Sequence, residues 1–199
     1  MNKSENWQTI VKEQEFNNLL MEWNAKINLV SRKKNNVFDL IEDSKLFFEA
    51  IDFTPGVKIL DLGTGGGFPG IIIAINQPQA ELVLIDSIQK KIKVVSDIIE
   101  RMEIKNARAI CIRAEDIAST KFETGKYLKY FDYVVSRSVA VLQDLCYWSK
   151  PLLKNGGKLV TVKGGDISGE IHKTRKLHYV RNINIVTNSE KKLVTAQYR

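Results

Sequence analysis

Metal-binding chemistry is the first thing this sequence has little room for. It holds two cysteines and two histidines in 199 residues. Cys111 and Cys146 cannot make a disulfide framework or a four-ligand zinc site, so a reduced protein with no metal is expected. Proline is scarce, with four. No run of about 18 apolar residues is present, so no transmembrane helix is expected. The opening MNKSENWQTIVKEQEF lacks the apolar stretch of a signal peptide, and a cytoplasmic location is expected. Hydrophobic residues make up 44% and charged residues 27%, enough apolar matter for an ordinary folded core and too much for a disordered chain.

What is abundant is positive charge in one place. The net charge is +7, and it divides as −2 over residues 1–54, +1 over 55–148 and +8 over 149–199. A basic flank on an otherwise neutral globule suits a polyanion such as nucleic acid. It also suits a plain solvated surface.

Periodicity splits the chain at residue 54. Ile10, Phe16, Leu19, Leu20, Trp23 and Ile27 fall near helical spacing, predicting a helix over 8–24 with Trp23 in the core. A polar loop follows, then a helix from Val37 to about Ala50. Thr54-Pro55-Gly56 closes this helical cap, 1–54. From 55 to 199 strands and helices alternate. Strands are predicted at 57–62, 82–86, 107–112, 132–136 and 157–162. Helices are predicted from Pro69, at 88–103 and at 141–149. A helix at 166–177 and strands at 179–186 and 191–197 would close the chain. Such alternation implies a mostly parallel Rossmann-like sheet with helices on both faces.

Asp61-Leu62-Gly63-Thr64-Gly65-Gly66-Gly67-Phe68-Pro69-Gly70 lies between the first strand and its helix, where such sheets bind nucleotide-like ligands. Gly65-x-Gly67-x-x-Gly70 fits a dinucleotide loop. Asp61, Gly63, Gly65 and Gly67 fit the acid-x-Gly-x-Gly-x-Gly motif of S-adenosylmethionine-dependent methyltransferases. A carboxylate at Asp61 suits the ammonium of that donor, directly or through water, and would oppose a pyrophosphate. Asp86, ending the second strand, can accept from ribose hydroxyls in either case. The methyltransferase pattern is favoured, and an NAD-dependent oxidoreductase stays open at this point. The string after the fourth strand is Ser136-Arg137-Ser138-Val139, not the Asn/Asp-Pro-Pro-aromatic of amine methylation. Neither cysteine lies in a loop suited to covalent attack on a pyrimidine, and both are expected as buried thiols. His172 and His178 are expected at the surface. A nitrogen with a free lone pair, such as guanine N7, needs no general base, only positioning and electrostatics.

Several strings occur together in a set order. They are Trp23-Asn24-x-x-Ile27-Asn28-Leu29, Asp43-Ser44, the loop Asp61–Ile71, Asp86-Ser87 with Lys90-Lys91, Arg113-Ala114-Glu115, Ser136-Arg137-Ser138 and Lys163-Gly164. This resembles the bacterial 16S rRNA guanine-N7 methyltransferases, the RsmG or GidB (glucose-inhibited division protein B) family. The resemblance covers about residues 16–165. It departs at Asp39 and Leu40, where the family usually has Arg-His.

The resemblance implies a class I methyltransferase fold and S-adenosylmethionine as donor. It implies one guanine N7 in 16S rRNA, or in a small-subunit particle, as acceptor. By position it implies donor contacts from Gly63, Phe68, Asp86, Ser87, Ala114, Glu115 and Arg137, beside Asp61 and Gly65 of the motif. No residue stands out as a chemical catalyst; Arg137 and Lys163 are candidates for positioning. Arg32, Lys33, Lys163, Lys173, Arg175, Lys176 and Arg181 are candidates to hold RNA phosphate. No metal and no membrane are expected as partners, and a monomer is expected. A non-catalytic RNA-binding protein that keeps the fold is the remaining alternative.

Overall fold

A computed structural model describes residues 3–31, 35–119, 125–188 and 191–198. The order of elements is α1 (Lys3–Asn24), α2 (Phe38–Lys45) with a 3-10 turn (Leu46–Glu49), β1 (Lys58–Leu62), α3 (Gly70–Asn76), β2 (Glu81–Asp86), α4 (Gln89–Arg101), β3 (Ala107–Cys111), β4 (Phe131–Arg137), α5 (Leu142–Ser149), β5 (Leu153–Gly164), α6 (Ser168–Arg175), β6 (Val180–Asn188) and β7 (Lys191–Tyr198). Every expected element of the alternating part is present.

The seven strands form one sheet in the order β3-β2-β1-β4-β5-β7-β6. β1 to β5 pair in parallel, while β7 pairs antiparallel with both β5 and β6. This is the expected Rossmann-like sheet. The order reverses between β1 and β4, so a crevice opens at the carboxyl ends of these strands. β7, being antiparallel, brings its first residue to that same end.

Strand alternation divides the core in two. Ile59, Val135 and Val160 face α1 to α4, with Phe16, Leu20, Ile41 and Phe47 packed above them. Leu60, Val134 and Leu159 face the other way, under Leu145, Cys146 and Ile171 of α5 and α6. The helical segment before β1 shares its core with the sheet. Trp23 is half-buried in it, and its indole N–H donates to Asp97 Oδ2 of α4 at 2.7 Å.

Four expectations are corrected. α1 begins at Lys3 rather than residue 8, and Ile10 is 47% exposed, because these first turns extend past the core. The 37–50 helix tightens into the 3-10 turn after Lys45. The fifth strand begins at Leu153 rather than residue 157, so Asn155-Gly156-Gly157 lies inside it: the β4–β5 register shifts between Phe131 and Tyr133, and Gly156 takes φ +79°. Cys111 is exposed, because β3 is an edge strand; Cys146 is buried as expected. His172 and His178 are exposed.

Candidate functional site

The turn from β1 into α3 is held by backbone. Gly63 and Thr64 both donate to the Ile85 carbonyl, at 2.9 and 2.8 Å, and Gly67 and Phe68 to that of Thr64. Gly63, Gly65 and Gly67 all have positive φ, a region costly for other residues. Two of them show different needs. A Cβ on Gly63 would lie 2.4 Å from Val139 Cγ2, so this glycine lets the turn pack on the loop after β4. A Cβ on Gly65 would meet no described atom within 4 Å. Its side faces open space, the crevice itself.

That crevice is a cavity of about 500 Å³. Its walls include Gly63, Gly65, Phe68, Asp86, Ser87, Ala114, Glu115 and Arg137. Eight of the nine expected donor contacts thus lie along it. The ninth, Asp61, does not line it. Its side chain is fully buried, and Oδ2 accepts from the Gly70 N–H at 2.9 Å at the start of α3. Asp86 is at the rim of β2, with Oδ2 accepting from the Gly65 N–H at 3.1 Å and Oδ1 from the Ile88 N–H at 2.9 Å. Lys91 stands 3.5 Å from it.

Three polar groups in and behind this wall are short of partners. Among the described residues, Asp61 Oδ1, Thr64 Oγ1 and Arg137 Nε are buried with no hydrogen bond. Buried polar atoms are rarely left so. Arg137 lies over the Phe68 ring, 5.1 Å from its centroid. Burial pushes the Asp61 carboxyl up to about 7, against the opposing influence of Thr64, the Gly70 N–H and Arg137. Burial also lowers the pKa of Arg137, which Asp43 and Asp61 oppose.

Leu29, Val30, Ile88, Ser138 and Trp148 also line the cavity. Leu29 and Val30 arrive there because the Asn24 side chain, ending α1, accepts both their N–H groups, at 2.9 and 3.0 Å. That gives the Trp23-Asn24-x-x-Ile27-Asn28-Leu29 string a physical role. Ser138 has φ +57°, unusual for a residue with a side chain.

The expected RNA contacts are scattered. Arg32 and Lys33 lie outside the described residues. Lys163 is engaged within the protein: its ammonium donates to the Ala140 carbonyl at 2.5 Å and pairs with Glu170 Oε2 at 3.0 Å. It braces the loop after β4 against α6 and is not presented to an RNA phosphate. Lys173, Arg175, Lys176 and Arg181 are exposed. However, α6 runs back from the end of β5, so these four lie at the amino ends of the strands, opposite the cavity. Among the described residues no group of three metal-ligating side chains occurs, and no helix is long and apolar enough to cross a membrane.

The sequence profile of the GidB family, described as rRNA small subunit methyltransferase G, matches residues 9–195. The chain belongs to this family. It is 42% identical over 159 residues to a ribosomal RNA small subunit methyltransferase G from Chlorobium chlorochromatii, covering 79% of this chain and 64% of that protein. It is 42% identical to that of Chlorobium luteolum, covering 78% and 63%. The match thus spans just under two thirds of the length of these relatives. A SAM-dependent O-methyltransferase from Thermotoga maritima superposes with TM-score 0.63 at 14% identity, covering 79% of this chain and 64% of that one. At that identity the likeness is one of fold: Rossmann-like, class I methyltransferase.

Burial sets itself against ionisation of Asp61, just before the glycine turn. A carboxyl whose folded pKa is raised above its unfolded value costs stability as it ionises, so stability falls as pH rises through the interval between the two. For Asp61 that interval runs from 3.8 to about 7. Asp61→Asn keeps an acceptor for Gly70 and removes the titration. Its stability relative to wild type should therefore climb between pH 4 and 7.5, by on the order of 4 kcal/mol if the whole shift is expressed. Urea unfolding across that range checks this; a constant difference would contradict the raised pKa.

Proposed function

We propose that this chain is an S-adenosylmethionine-dependent methyltransferase acting on small-subunit rRNA, with a guanine N7 in 16S rRNA as acceptor. The observation that carries it is the polarity of the cavity. Asp86, Thr64 and Arg137 line it around a turn left open at Gly65, and Asp61 Oδ1, Thr64 Oγ1 and Arg137 Nε, buried in or behind that wall, have no hydrogen bond among the described residues.

This arrangement fits the donor's two halves. Asp86 would accept from the ribose hydroxyls, beside Ser87. The Ala114-Glu115 turn and the exposed Ile88 would border the adenine. A methionine end carries an ammonium and a carboxylate, and the buried carboxyl of Asp61 and the cation of Arg137 complement these. Asp61 would act from behind the wall, through a small group such as water or Thr64. A dinucleotide would instead set pyrophosphate charge near two carboxylates. When bound, the donor supplies an electrophilic methyl group on a sulfonium.

The chain's own work is to bind and orient. Guanine N7 carries an in-plane lone pair and no proton, so no general base is needed for attack. The cavity's side chains fit that role: Phe68, Leu29, Val30 and Trp148 exclude water, and the glycine loop fixes the donor in line. Residues 1–54 would serve as a helical cap that closes one side of the crevice through Leu29 and Val30. An rRNA partner would place the protein in the cytoplasm.

The test is calorimetry with S-adenosylmethionine and with NAD, followed by transfer of labelled methyl to 16S rRNA and to small-subunit particles. The labelled base is then mapped by chain cleavage at N7-methylguanine. Binding of the first ligand alone, with label at one guanine N7, is expected. Gly65→Val should lose donor binding at a stability cost of only about 1–2 kcal/mol, the strain of its positive φ. Binding of NAD alone, or label on an exocyclic nitrogen, would contradict the proposal.

Lys173, Arg175, Lys176 and Arg181 would contribute through phosphate, one sheet length from the crevice. Neutralising all four should weaken RNA binding, and each lost phosphate contact should reduce the log–log salt slope by about 0.7 to 0.9. Donor affinity should not change. Parallel salt slopes for the variant and wild type would make this patch a solvated face.

A further inference from the structure

Arg137 leaves β4 for the cavity beneath Asp43 of α2. Its Nη1 is 4.0 Å from Asp43 Oδ2, the outer limit of an ion pair, with both side chains less than one-fifth exposed. Its Nε has no partner among the described residues. Three carboxylates, Asp43, Asp61 and Asp39, favour its charge, and Asp43 comes only to that outer limit. The reason lies on the other oxygen of Asp43. Lys191, the first residue of β7, donates to Asp43 Oδ1. Two cations share one carboxylate, and Lys191 is the nearer. Asp43 and Arg137 are largely buried while the Lys191 side chain is 41% exposed, and the nearer cation takes the larger share of the Asp43 carboxylate.

Topology makes this contact possible. β7 is antiparallel to β5, and Lys191 pairs in register with Gly164 at the carboxyl end of β5. A parallel strand would have put its first residue at the opposite end. The neighbouring Lys192 is no substitute, because its ammonium donates to the Gly165 carbonyl.

We infer that Lys191 is a positioning residue for the donor site: by holding Asp43, it keeps the guanidinium of Arg137 available to an anionic group in the cavity. This rests on the reading of the cavity as the S-adenosylmethionine site, with the donor's carboxylate at Arg137. Without Lys191, Asp43 turns to Arg137 and competes with that carboxylate. Removing the charge of Asp43 as well then restores the site, which a merely structural contact would not do.

The test uses S-adenosylhomocysteine as the probe, by calorimetry at low salt. Lys191→Met should weaken binding about tenfold. Lys191→Arg should bind as wild type. Lys191→Met combined with Asp43→Asn should regain most of the loss. In parallel, the Arg137 Nε–H resonance of the ligand-free protein should move in Lys191→Met and return in the double variant. Unchanged binding in Lys191→Met, or a double variant as weak as the single one, would overturn the inference. If wild type binds no S-adenosylhomocysteine, the donor reading itself fails. The Arg137 resonance then decides alone: a shift reversed in the double variant upholds the Lys191–Asp43–Arg137 relation, and no shift overturns it.

Discussion

Asp61 sits where a strand must become a helix without a side chain in the way. Its carboxyl is fully buried, and one oxygen receives the Gly70 N–H at the first turn of α3. Gly70 cannot carry a Cβ there, since it would lie 2.6 Å from that oxygen. This contact fixes where α3 starts, and so the path of the glycine turn. The turn sets the spacing between β1 and the loop after β4, through Gly63 against Val139. The cost is the second oxygen, left without a partner and with a carboxyl pushed up to about 7. A fold that needed only the turn would be served by a neutral acceptor. The charge, and the neighbouring unpartnered atoms of Thr64 and Arg137, make sense as the unfinished half of a site for a zwitterion.

The other elements act on this constraint from a distance. Asn24 folds the loop after α1 so that Leu29 and Val30 wall the cavity. Asp86 ties the rim of β2 to the turn through the Gly65 N–H. Lys163 and Glu170 hold the loop after β4 to α6. The antiparallel β7 returns a cation, Lys191, to the edge of the same crevice. None of these groups does covalent chemistry. Their shared effect is to fix charge and shape before a ligand arrives, which in the proposed transfer, to a nucleophile that needs no base, would be the main lever on rate.

Most of the architecture was legible in the sequence because its signals are local. Alternating apolar runs and amphipathic stretches marked the strands and helices, and the string from Asp61 to Gly70 marked the crevice. Contacts across the sheet were not legible. The motif leaves open whether Asp61 meets a ligand directly or through water, and only strand alternation, which points it at α3, puts it behind the wall. Trp148 reads as one more apolar residue of α5, and only the packing of α5 over the second core brings it to the cavity. Lys163 reads as a free cation until Glu170, on another element, is placed beside it. The basic C-terminal quarter reads as one patch, although α6 carries Lys173, Arg175 and Lys176 away from the crevice. Cys111 reads as a buried strand residue because nothing local reveals that β3 is an edge.

The central claim is that the buried carboxyl of Asp61 answers the donor's ammonium. If so, binding must draw the proton off Asp61, because a cation nearby favours the ionised form. The most direct measurement is calorimetry of S-adenosylhomocysteine binding near pH 6.5 in buffers of differing ionisation enthalpy, for wild type and Asp61→Asn. The account predicts that wild type releases a fraction of a proton on binding beyond whatever the variant releases, and that its affinity gains more than the variant's as pH rises through about 7. Equal proton release and parallel pH profiles for the two proteins would contradict it.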